Sequence, residues 1–263
     1  MKLIVCENCE AEFSIKHSMH EDYYRVTYCA FCGSELTNDL EDEIEWDDDE
    51  YIIFKNWMRE YIDHYCLVRT GKEIDYVMDG KKPGTHYTWQ FYLRRGLFDP
   101  VFLSTLSQMF IYKVEREIGH FNFQLSGLET GATPMLAAIP LVAKGYGIDL
   151  NSFVVRKEQK TYGIKNWIEG RPIENKPVML IDDICNSSMT MKRAKEICEQ
   201  TTIDSQDMEV MKIVFTIVNK WSKYSDKDSF ENHTRQIPDT KVIHFFNCDD
   251  WDLYRHSVQV VQN

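Results

Sequence analysis

Residues 178–190 read VMLIDDICNSSMT, and this stretch decides the fold. The apolar run 178–181 predicts a strand buried on both faces of a parallel sheet. Asp182 and Asp183 then fall at its carboxyl end, where open α/β sheets bind ligands in the crevice beyond the strand. Asn186, Ser187, Ser188, Met189 and Thr190 follow at once. Their hydroxyl and amide groups would stand beside the unpaired N–H groups of a helix N-terminus, which seats phosphate. Carboxylates for hydroxyls or metal-bound water, next to a phosphate cup, fit a sugar phosphate. The plainer alternative is an acid pair that caps a helix after a core strand.

Upstream, residues 152–170 read SFVVRKEQKTYGIKNWIEG: a short apolar strand, then a polar loop with Arg156, Lys157, Lys160 and Lys165, and with Gly163 and Gly170 as flexible points. The whole chain carries a formal charge of −12, so a polyanionic substrate needs local positive charge, and this loop supplies it. Further upstream, Phe121, Phe123 and Leu125 alternate along a strand that runs into GLETGATPMLAAI at 127–139. Glu129, Thr130, Gly131 and Ala132 form a turn whose backbone N–H groups can cradle an anion. Thr133 with Pro134 predicts a helix start, cap first and proline in the first turn. Pro140 predicts a kink or an early end.

In this order the segments resemble type I phosphoribosyltransferases, which use phosphoribosyl pyrophosphate (PRPP). Residues 178–190 resemble the PRPP signature, with Ser188 where the family has glycine and a bulky Met189 beside it. The 152–170 loop resembles the flexible loop of the orotate phosphoribosyltransferases: Arg156, Lys157, Glu158, Lys160, then Tyr162 and Gly163, Tyr162 standing where those enzymes usually place histidine. Residues 129–132 resemble the pyrophosphate loop. The resemblance covers roughly residues 85–255 and implies a twisted, mostly parallel α/β sheet flanked by helices, plus a hood. It implies transfer of ribose 5-phosphate from PRPP to a nitrogenous base, with magnesium accompanying PRPP, in a homodimer. Asp182 and Asp183 would hold ribose hydroxyls and metal-bound water, 186–190 the 5-phosphate, and Lys160 with Arg156 and Lys157 the departing pyrophosphate. Where orotate enzymes end the next strand in an Asp-Arg pair that helps to hold the base, this chain has Asn219 and Lys220. Losing a planar, bidentate arginine is not conservative, so the base need not be orotate. Two rival readings are a PRPP-sensing regulator without turnover, suggested by Ser188 and Tyr162, and the competence-associated phosphoribosyltransferase-like family. Retention of Lys160 favours catalysis.

The amino end is a different unit. Cys6, Cys9, Cys29 and Cys32 form two C-x-x-C pairs separated by nineteen residues, a spacing that predicts one structural, tetrahedral zinc site in a ribbon over 1–37. His17 and His20 lie between the pairs and read as surface residues. An acidic run at 38–50, NDLEDEIEWDDDE, reads as a linker and argues against nucleic-acid binding. Helical spacing of apolar residues from Tyr51 to a stop near Gly71 opens a hood over 51–98, with a turn at 81–86 and a strand through YTWQFYLRRG. The core at 99–263 begins with a helix capped by Asp99 and Pro100, followed after the PRPP motif by a helix at 189–200 and strands at 211–220 and 241–247. No signal or membrane-length segment is expected, and the scattered Cys66, Cys185, Cys198 and Cys248 read as thiols in a reducing, cytoplasmic setting.

Overall fold

The computed structural model describes residues 3–5, 8–14, 29, 31–34, 48–79, 86–159, 167–186, 188–203, 206–220, 237, 239–251 and 253. The chain divides into two compact units, Met1–Glu45 and Trp46–Asn263. In the first, β1 (Leu3–Val5) pairs antiparallel with β2 (Glu12–Ser14).

The second unit opens with α1 (Asp48–Tyr61), which starts inside the acidic run: Asp48, Asp49 and Glu50 fill its first turn, where carboxylates complement the helix dipole. It continues as a π-helical turn, Ile62–Cys66, and not as α-helix toward Gly71. β3 (Leu67–Arg69), β4 (Met78–Asp79), β5 (His86–Tyr87) and β6 (Trp89–Phe91) follow, paired as β3 with β6 and β4 with β5. The strand expected through 87–96 thus ends at Phe91 and gives way to α2 (Arg94–Leu97); the turn expected at 81–86 lies, apart from His86, outside the described residues.

α3 (Pro100–Ile118) begins as the sequence predicts. The Asp99 carboxylate accepts from the N–H of Val101 at 2.9 Å and of Phe102 at 3.1 Å, and Gly119 closes the helix at φ 76°, a conformation glycine adopts without strain. α3 leads to β7 (Gln124–Leu128), α4 (Thr133–Gly145), β8 (Asn151–Val155), β9 (Ile168–Gly170), β10 (Val178–Cys185) and α5 (Met189–Glu199). The short ribbon β11 (Thr202–Ile203) and β12 (Gln206–Asp207) precedes β13 (Val210–Asn219) and β14 (Lys241–Asn247).

The main sheet has six strands in the order β14-β13-β10-β7-β8-β9, parallel throughout except for the edge strand β9. Alternate residues face opposite layers. Val178, Leu180 and Val214 pack with Met191, Ala194 and Ile197 of α5, whereas Phe215 meets Phe110 of α3 edge-on at 4.9 Å. Burial on both sides explains why β7 and the first half of β10 are continuously buried.

Two local expectations are corrected. Thr133 does not cap α4: Ala132 holds the cap position without a side-chain bond, and Thr133 is already helical. Pro140 does not end α4, which runs on to Gly145. The proline removes the N–H that Leu136 would have accepted from, and Ser152 of β8 replaces it, donating from Oγ to the Leu136 carbonyl at 2.5 Å. Among the described residues no helix is long and apolar enough to cross a membrane.

Candidate active site

After β7 the chain crosses by α4 to β8 on one side, while β10 lies on the other, so the order of the sheet reverses between β7 and β10. Crevices form where strand order reverses in this way. Register widens this one: β10 pairs with β7 only over Val178–Leu180 but with β13 as far as Cys185. The acid pair therefore sits within the strand and not at its end, as the apolar run alone suggests. It lies in the part of β10 that has lost its β7 neighbour.

The turn after β7 closes on those acids. A Cβ added to Gly131 would lie 2.8 Å from Asp183 Oδ1 and 3.0 Å from Asp182 Oδ1, so any side chain there would have to push the carboxylates aside. Gly127 is needed as well, because a Cβ would lie 2.3 Å from the Ile181 carbonyl oxygen. The Glu129–Thr130 peptide is cis. Glu129 ties the turn to the next strand: its N–H donates to the Val155 carbonyl at 2.9 Å, and its carboxylate accepts from the Lys157 N–H at 3.0 Å. Thr130 is exposed, and Ala132 is fully buried, so it offers only backbone.

Asp182 is buried at 6% exposure and accepts from the Asp183 N–H at 2.9 Å. Burial, then the neighbouring Asp183 charge, pushes its carboxyl well above the usual range, while the Lys157 charge pulls the other way. Lys157 itself is exposed beside this crevice. Arg156 is anchored in its own loop, with Nη1 3.2 Å from Glu169 and Nε donating to the Glu158 carbonyl at 3.2 Å. Lys160, with Tyr162 and Gly163, lies outside the described residues, as do Ser187 and Cys6.

Ser188, at the expected glycine position, has φ 55° and precedes α5. That left-handed conformation is what glycine tolerates best. The serine side chain turns inward, where its Oγ and Cys185 Sγ share a hydrogen bond at 3.3 Å and both residues are buried. Burial raises the Cys185 thiol pKa, in keeping with a packing role and not a nucleophilic one. Asn186, Met189 and Thr190 are exposed around the same turn.

Lys220 follows β13 and is joined to β10, its N–H donating to the Cys185 carbonyl at 2.8 Å. Its ammonium lies 4.8 Å from the Trp89 ring centroid and 5.7 Å from that of Tyr87. Tyr87 and Trp89, read from sequence as strand aromatics, are the residues that reasoning from spacing misses. The available signal was their period of two, which continues to the buried Phe91 and leaves Tyr87 half exposed.

In the amino-terminal unit the Sγ atoms of Cys9, Cys29 and Cys32 lie within 4.8 Å of one another, and those of Cys9 and Cys29 are 3.6 Å apart. Thiolates on one tetrahedral zinc, each about 2.3 Å from the metal, stand a little under 4 Å apart, so the cluster fits such an ion. Gly33 adopts φ 69° in the second knuckle, and the Phe31 N–H donates to Cys29 Sγ at 3.4 Å. Hydrogen bonding from Ser34 is the largest influence on the exposed Cys32 thiol and brings its pKa down to about 6, toward the thiolate form.

No family model matches the chain. It is similar to the orotate phosphoribosyltransferase of Rhodopirellula baltica, 26% identical over 137 residues, which is 52% of this chain and 66% of that protein. The Mycobacterium avium enzyme of the same name is 32% identical over 128 residues, 48% of this chain and 61% of the relative. The chain thus spans less than two thirds of the length of these relatives. The crystal structure of Mycobacterium tuberculosis orotate phosphoribosyltransferase in complex with Fe(III) dicitrate superimposes with a TM-score of 0.54 at 18% identity, covering 75% of this chain and 98% of that one.

Proposed function

We propose that this chain, which shares its fold with a phosphoribosyltransferase of known structure and is similar in sequence to orotate phosphoribosyltransferases, is a type I phosphoribosyltransferase that transfers the ribose 5-phosphate unit of PRPP to a ring nitrogen of a base. The bond from C1 to the pyrophosphate oxygen breaks, its electron pair leaves with pyrophosphate, and a C1–nitrogen bond forms. The observation that carries this reading is the Gly131 backbone closed against Asp182 and Asp183. It makes a cup of peptide groups and carboxylates at the reversal of strand order, suited to an anion on one wall and hydroxyls on the other.

Asp182 and Asp183 orient the ribose hydroxyls, residues 129–132 cradle the pyrophosphate, and 186–190 receive the 5-phosphate. Lys157 faces the leaving charge, with Arg156 tying its loop to Glu169, and Lys160 meets the departing pyrophosphate. Catalysis rests on positioning and on stabilising charge as it develops. The hard carboxylate oxygens of Asp182 and Asp183 suit magnesium, which, bound with PRPP, neutralises the pyrophosphate. Zinc on Cys9, Cys29 and Cys32, with Cys6 as fourth ligand, is structural, because four thiolates leave no open position. The working form is a homodimer, as the resemblance implies, in the cytoplasmic setting that the scattered thiols suggest.

Calorimetry with PRPP and magnesium, together with pyrophosphate release over a panel of bases, tests the reading. Binding with base-dependent release is expected. Binding without release from any base would leave a PRPP sensor, and no binding would remove the reading.

A further inference from the structure

Ser188 stands at the N-cap of α5, where a serine ordinarily turns its hydroxyl onto the N–H groups of the first helical turn. It makes no such bond. The hydroxyl is held in the interior instead, 3.3 Å from Cys185 Sγ, with both residues buried. The backbone is equally committed: φ is 55°, which costs a residue with a Cβ and persists only where the surroundings hold it. Cys185 is a firm post for this purpose. It ends β10 in register with Asn219 of β13, and its carbonyl accepts from the Lys220 N–H at 2.8 Å. The Ser188 carbonyl in turn accepts from the Lys192 N–H at 2.8 Å as α5 begins, so the turn is tied at both ends. Burial pushes the Cys185 thiol up, so it stays uncharged at neutral pH and does not repel an anion nearby.

On the phosphoribosyl reading, on which this rests, we infer that Cys185 is a positioning residue for the 5-phosphate: its bond to Ser188 holds the turn in the left-handed conformation and keeps the serine hydroxyl off the first-turn N–H groups. Those N–H groups are where a helix N-terminus takes a phosphate, and a capping hydroxyl would compete for them. The pair does for this chain what a glycine at 188 would do unaided, since glycine reaches positive φ at no steric cost and has no side chain to cap with. Without Cys185 the turn divides its time between this conformation and one with negative φ and a capping hydroxyl. Apparent affinity for the 5-phosphate falls with the share of the competent conformation.

The test uses the full chain and follows ribose 5-phosphate, PRPP with magnesium, and pyrophosphate with magnesium by calorimetry. Cys185→Ala should weaken ribose 5-phosphate and PRPP alike, by about 5-fold, the scale of one neutral hydrogen bond, and leave pyrophosphate unchanged. Cys185→Ser, which keeps a hydrogen-bonding atom at that place, should recover most of the loss. In a Ser188→Gly background, Cys185→Ala should cost no further affinity, because glycine holds the turn without a latch. Cys185→Val, which fills the space without the bond, replaces the alanine variant if the latter loses its thermal transition. Three results overturn this inference while PRPP binding by the wild type keeps the wider reading alive. They are a loss shared equally by pyrophosphate, a loss of the same size in the Ser188→Gly background, and a change of less than about 2-fold for ribose 5-phosphate, below the scale of a hydrogen bond. Failure of the wild type to bind ribose 5-phosphate and PRPP would overturn both.

Discussion

Asp182 works against the fold that holds it. Its folded-state pKa is raised above the ordinary carboxyl value of 3.8 by burial and by Asp183, so the folded chain holds this proton more tightly than the unfolded one. The linkage sign follows: stability falls as pH climbs past the ordinary value, and the penalty is absent below it. Asp182→Asn should therefore raise Tm at neutral pH by about 2–4 °C, the equivalent of roughly 1 kcal/mol in a chain of this size. The gain should vanish at pH values below the ordinary carboxyl range, and the same variant paired with Asp183→Asn should abolish PRPP binding. Thermal scans against pH and calorimetry on the same samples check both halves; a double variant that binds PRPP normally would separate the acids from the ligand. Ser188 makes the opposite kind of case. Its φ of 55° is strained by roughly 1 kcal/mol for a residue with a Cβ, but its hydroxyl recovers a similar amount through Cys185. Ser188→Gly should be neutral to within about 0.5 kcal/mol, and Ser188→Val, branched and without the hydroxyl, should lose about 2 kcal/mol or more. Urea titrations would measure each.

At the level of elements, α4 survives its internal proline because β8 supplies a hydroxyl at the one carbonyl left without a donor. Ser152→Ala should cost about 1–2 kcal/mol by stranding the Leu136 carbonyl. In a Pro140→Ala background, where the helix again supplies an N–H, the same change should cost less than half as much. A double-mutant cycle reads the difference directly, and additivity would show that the two sites are not coupled. The same contact explains what sequence could and could not disclose. Asp99–Pro100 marked the start of α3 correctly because caps are local chemistry, and the apolar run at 178–181 marked a buried strand because burial on both faces leaves no alternation. The continuation of β10 past its acids was hidden, since it depends on β13 pairing as far as Asn219. So was β9, three residues long and exposed at its end. The tolerance of Pro140 depends on a serine twelve residues away, and the Trp89–Lys220 contact joins segments with no common periodicity. The acid pair and the Gly131 turn were legible because each is a contiguous motif; the contact of Trp89 with Lys220 was not, because it is made only by folding.

On the scale of the whole molecule, the chain combines a formal charge of −12 with a candidate site for a polyanion. The surplus acids repel such a ligand at long range, where salt screens charge within about 10 Å at 0.1 M, so attraction must come from the few cations at the crevice. Added salt should therefore weaken PRPP binding only modestly, because screening removes the background repulsion together with part of the local attraction. Measuring the affinity between low and moderate ionic strength checks this, and a steep fall would mean that a cationic surface beyond Lys157 steers the ligand. The division at Glu45 and Trp46 carries the remaining prediction. A unit as small as Met1–Glu45 cannot bury enough apolar surface to hold its shape without a cross-link, and the clustered Sγ atoms of Cys9, Cys29 and Cys32 provide one when a metal joins them. The metal's binding energy then becomes that unit's folding energy. Cys29→Ser in the full chain should lower zinc from one equivalent to none and expose the first 45 residues to limited proteolysis. The second unit, with its own sheet and helices, should keep its thermal transition and its PRPP affinity. Zinc retained by the variant would place the metal elsewhere, and PRPP binding lost together with zinc would mean that the amino-terminal unit takes part in the site.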